Sequence, residues 1–136
     1  MSAQLKKNFQ ELSTALMDLH KTLLMLEAKQ METESGRKIT PYELLHASLH
    51  DPKLAWLRAI SQLIVTIDTI VDETPNLSGK EASQVASEVL TLLEKPQPGA
   101  TQEFWLQYSK YLSHNPDIIM KHSHVKTLLG GISPKM

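Results

Sequence analysis

A chain of 136 residues with 14 basic and 15 acidic side chains carries a formal net charge of −1, which gives no global pull toward nucleic acid or an anionic membrane. Hydrophobic residues make up 41%, too large a share for a disordered chain, and the length suits one domain. There is no cysteine, which excludes a disulfide scaffold, a zinc–thiolate site, an iron–sulfur cluster and a thiol nucleophile.

Residues 3–34 lack Gly and Pro. Leu5, Phe9, Leu12, Leu16, Leu19, Leu23 and Leu26 recur at alternating steps of four and three, a heptad stripe that Ser35-Gly36 closes. Met17, Leu24 and Met31 form a second stripe beside the first, and Met25 widens the apolar sector. One packing partner does not cover both stripes. The sequence therefore predicts a dimer surface at Met17, Leu24, Met25 and Met31, a homodimer being the commonest way to bury such a sector.

Thr40-Pro41-Tyr42-Glu43 combines an N-cap, a proline suited to the first helical position and a glutamate able to close a capping box. This helix should reach His50, where Asp51-Pro52 bends and restarts it. From Pro52 to about Glu73, Leu57, Ile60, Ile64, Ile67 and Val71 form the main stripe, with Trp56, Leu63 and Ile70 on its flank. This most apolar segment is expected to be the central helix. Residues 41–73 together are expected to pair antiparallel with 3–34.

Ser78-Gly79-Lys80-Glu81 opens the next helix, which turns Ala82, Val85, Ala86, Val89, Leu92 and Leu93 inward. Residues 95–99 read as a linker, and Thr101 as the cap of a short aromatic helix to Leu112. Asn115-Pro116 starts the last helix, expected to stop at Gly130-Gly131. The expected fold is an all-α bundle of five or six helices: one domain over 1–131, built on a long antiparallel pair, with residues 132–136 as a flexible tail.

Four groups of side chains invite a chemical reading. His46 and His50 share a helical face at the spacing that can bind one divalent metal; with an antiparallel first helix, Glu27 would lie opposite them and His20 about a turn further on. No HExxH motif supports this, and ordinary polar-face residues explain the pair equally. His122 falls in the stripe Ile118, His122, Val125, Leu129, where a satisfied core histidine is the simpler account. Four of the seven aromatics cluster at Phe104, Trp105, Tyr108 and Tyr111. They can stack a flat ligand or anchor a partner, or can pack in the core with the tyrosine hydroxyls reaching the surface. Asp68, Asp72 and Glu73 place like charges at a helix C-terminus, at a small cost that a lysine, Arg58 or a cation would relieve.

The stretch Ile39-Thr-Pro-Tyr-Glu-Leu-Leu-His-Ala-Ser-Leu-His-Asp-Pro-Lys-Leu-Ala-Trp-Leu-Arg-Ala-Ile-Ser-Gln-Leu-Ile-Val-Thr-Ile-Asp68 resembles a segment of an uncharacterised family of small all-helical bacterial proteins. The resemblance covers under a quarter of the chain and implies no activity.

The leading functional expectation is a non-enzymatic helical protein acting through self-association or partner binding. The alternatives are a metal-binding protein or metalloenzyme using the His46/His50 face, and a binder of a flat or acyl ligand between helices. The N-terminus has no signal-peptide pattern, and apolar runs such as 63–65 are far shorter than the ~20 residues that span a bilayer. A cytoplasmic location is expected, with no membrane and no nucleic-acid partner, and no cofactor beyond that possible metal.

Overall fold

A computed structural model describes residues 2–97 and 103–132. Among these are six α-helices and no strand, an all-α bundle. They are α1 (Ala3–Ser35), α2 (Pro41–His50), α3 (Arg58–Glu73), α4 (Gly79–Leu93), α5 (Glu103–Leu112) and α6 (Pro116–Ile132). A 3-10 segment, Pro52–Leu57, stands between α2 and α3.

The helix boundaries follow local chemistry. Thr40 with Glu43, and Ser78 with Glu81, each close a reciprocal capping box. The Ser2 hydroxyl caps α1 by accepting from the Leu5 N–H at 3.0 Å. Gly36 ends α1 in the left-handed region, at φ 77°. Asp51 caps the 3-10 segment through the Lys53 N–H, with Pro52 at its first position. The expected Thr101 cap and residues 98–99 of the linker lie outside the described part of the chain, as do residues 133–136 of the expected tail.

The centre of the bundle is α1, not the 52–73 segment. Phe9, Leu12, Leu16, Leu19 and Leu23 are completely or almost completely buried. Two helices run antiparallel along α1. On one side Ser13 bonds Asp68 and His20 bonds Ser61, which sets the register of α3. On the other, Lys121 of α6 pairs with Asp18 at 2.9 Å. Helix α3 is intrinsically the more apolar, but it is covered mainly on its α1 side. Only Ile60 and Ile67 are fully enclosed, and Val65 is 63% exposed. Burial follows the number of long neighbours a helix has, and composition alone does not report that number.

The antiparallel pairing with α1 holds for α3 but not for α2. After the bend at Asp51-Pro52, α2 turns away and rests mainly on the 3-10 segment. None of its residues is buried, and Tyr42, Leu45 and Leu49 face outward. Arg58 ties the junction by donating from Nη2 to the Leu49 carbonyl at 2.7 Å. The segment from Pro52 to Glu73 is long and apolar enough to cross a membrane by length and composition, although no single apolar run in it is. In this fold it lies along α1, side chain bonded to side chain.

Helix α4 turns Ala82, Val85, Ala86, Val89 and Leu93 into the core as expected, with Leu92 only half-buried. Helix α6 does not stop at Gly130-Gly131. It continues to Ile132, whose side chain is buried beside Leu129 in the core cluster. The anchoring of that last apolar residue outweighs the weak helix propensity of two glycines.

Candidate functional site

The C-terminal half of α1 extends beyond α3 and is roofed by the 3-10 segment and α5. A cavity of about 380 Å³ lies beneath that roof, lined by Glu27, Gln30, Met31 and Glu34 of α1, by Lys53 and Trp56, and by Glu103, Gln107, Lys110 and Tyr111 of α5. The volume lies within the range of small-molecule sites.

Its wall is aromatic. Trp56 stacks on Tyr111 with ring planes 13° apart and centroids 6.4 Å apart, and meets Phe104 at 5.4 Å. The Tyr111 hydroxyl donates to the Glu27 carboxylate. Burial, and then that carboxylate, push the Tyr111 phenol well above its ordinary pKa, so it remains a donor. Trp56 is almost wholly buried, and its indole N–H has no hydrogen-bond partner. Such an orphaned donor costs about 1–3 kcal/mol. Glu34 lies 4.0 Å from Lys53, and Lys110 donates to Gln107.

The aromatic cluster thus divides. Phe104 and Tyr108 belong to the core, and Trp105 and Tyr111 are half-buried. The Tyr108 hydroxyl does not reach the surface. It ends on the half-buried His122, at 2.7 Å from Nδ1. Burial lowers the His122 pKa, and Lys126 nearby lowers it further. His122 is therefore a half-buried histidine satisfied by a tyrosine.

The four residues considered for a metal are not brought together. His46 and His50 do meet, with ring centroids 4.7 Å apart and planes tilted by 49°, in an open cavity beside Arg37, Tyr42 and Glu43. His20 bonds Ser61 at 3.1 Å in a different recess. Glu27 belongs to the aromatic cavity. The physical reason is the departure of α2: the α1–α3 register continues into the 3-10 segment, so the level of Glu27 is taken by residues near Leu54. Among the described residues no group of three or more His, Asp or Glu side chains is placed to hold a metal ion.

The acidic set is also split. Asp68 accepts from the Ser13 hydroxyl, whereas Asp72 and Glu73 are exposed at the end of α3. Arg58 is occupied at the opposite end of that helix, and Lys121 and Lys126 pair with Asp18 and Glu94.

The four residues expected to form one dimer surface occupy four different surroundings. Met17 is 46% exposed, on the side of α1 that flanks α3. Leu24 is half-buried in the recess with His20 and Leu49. Met25 opens onto a groove lined by Lys21, Lys29 and Pro41. Met31 is shared by the aromatic cavity and the His46/His50 cavity. Sequence reasoning missed the meeting of Trp56 with Glu27 and Tyr111, because no local pattern relates residues so far apart in the chain. Comparison with protein-family models, curated proteins and solved structures finds no match to this chain.

Proposed function

We propose that this protein acts by association of helices, in the first place with a second copy of itself, rather than by catalysis. The observation that carries this reading is the outward face of α1 and α3, with the end of α2 beside it. Met17 of α1 and Val65 of α3 are exposed there, as is Leu49 of α2, and Leu24 is half-buried beside Leu49. Exposed apolar side chains grouped on one face mark an interaction surface more often than solitary ones do. Sedimentation of the full chain across the micromolar range tests it. A dimer of the 15.3 kDa chain is expected, weakened by Met17→Glu. A monomer at every concentration ends the reading.

A second reading rests on the aromatic cavity. Its polar lining, with Glu27, Glu34 and Glu103 against Lys53 and Lys110, does not suit an acyl chain. The half-buried Tyr111 ring, backed by Trp56 and set among carboxylates, suits a small organic ammonium ion. Thermal unfolding with tetramethylammonium or ethylammonium at millimolar concentration tests this. A rise in Tm that Glu27→Gln removes is expected, and no rise in the wild type disposes of it.

A further inference from the structure

We infer that two copies pair through α3, antiparallel, about a two-fold axis passing beside Val65. The inference rests on the self-association reading and specifies its geometry.

Arg58, Val65 and Asp72 are spaced by seven residues. Two turns of α-helix take about 7.2 residues, so the three lie on one stripe with only a small drift. All three are exposed. The stripe has a basic end, an apolar centre and an acidic end. A two-fold axis at the centre sets Val65 against Val65 of the second copy. It also sets Arg58 of each copy against Asp72 of the other. Such an isologous surface is complementary to itself. Parallel pairing would oppose Arg58 to Arg58 and Asp72 to Asp72, so charge selects the antiparallel arrangement.

Three further observations agree. The bonds Ser13–Asp68 and His20–Ser61 fix the α1–α3 register, which puts Met17 level with residues 64 and 65. Met17 is exposed and thus adds apolar surface beside the axis. Arg58 spends Nη2 on the Leu49 carbonyl, which holds the guanidinium in place while its remaining N–H groups can meet a carboxylate. Asp72 does nothing for its own helix. It lies four residues after Asp68, near the C-terminus, where both the like charge and the helix dipole oppose it. A cation from a second chain is what it lacks.

Sedimentation velocity on the full chain measures the dimer affinity. Arg58→Glu and Asp72→Arg each create two like-charge oppositions per dimer and are expected to weaken it about tenfold or more. The double variant Arg58→Glu with Asp72→Arg restores opposite charges and is expected to return affinity close to the wild type. Raised salt should weaken the wild-type dimer. Because Arg58 also ties α2, Asp72→Arg serves as the single variant that leaves that bond intact, with helicity checked by circular dichroism. Wild-type affinity in Asp72→Arg, or a wild-type dimer insensitive to salt, overturns the α3 interface while leaving association through another face standing. A monomeric wild type overturns both.

Discussion

The Ser13 hydroxyl donates to the Asp68 carboxylate at 2.7 Å across the α1–α3 interface, two turns along α1 from the bond between His20 and Ser61. Ser13 is the buried polar residue of the described core, 3% exposed. The two bonds fix which turn of α3 faces which turn of α1, a choice that apolar packing alone leaves loosely specified.

Ser13→Ala should therefore destabilise the protein by about 1 kcal/mol, the range for a lost hydrogen bond whose acceptor can be rehydrated. Asp68 is exposed enough to regain water, so the full penalty of an orphaned charge does not arise. Urea unfolding should show a lower midpoint at unchanged slope. A midpoint equal to the wild type would show that the bond contributes nothing.

Stability should fall on mild acidification. Burial lowers the pKa of both His20 and His122 from the ordinary 6.5. A base with a depressed folded-state pKa binds its proton more readily when unfolded. Its contribution is fully present above pH 6.5 and is lost as the pH falls through the folded-state value. Thermal midpoints measured between pH 7.5 and 5 should drop, and His20→Gln with His122→Gln should flatten the profile. An unchanged slope in the double variant would assign the acid sensitivity elsewhere.

Gly130 and Gly131 lie inside α6 at ordinary helical backbone angles, and a Cβ at either would meet nothing within 4 Å. Alanine should stabilise at each position by about 0.5–1 kcal/mol, because it loses less backbone entropy on folding. The double variant should unfold at a higher temperature than the wild type. A lower one would mean that the last turn of α6 is not helical in solution.

Gly36 is the opposite case. It too has open space around it, yet its φ of 77° is one that a side chain resists. Gly36→Ala should cost about 1 kcal/mol, read from the same unfolding measurement. Equal stability would imply that the chain after α1 can leave the left-handed turn.

Local chemistry made much of the fold legible from sequence. Capping boxes at Thr40/Glu43 and Ser78/Glu81 work within three residues, and the Leu stripe of α1 needs only its own periodicity. Those features determined the helices, most of their ends and the all-α class. What neighbours decide was not legible. The chain does not encode locally that α1 has two long antiparallel partners while α3 has one, nor that α2 leaves α1 at Asp51. From that departure follows the separation of His46 and His50 from Glu27 and His20. Gly130-Gly131 has the local signature of a stop, and only the burial of Ile132 against the core overrides it. Trp56, Glu27 and Tyr111 meet because three separate elements converge at one end of α1. Periodicity and capping act over a few residues and are written in the sequence; burial and side-chain convergence depend on packing between distant segments, which only the tertiary structure decides.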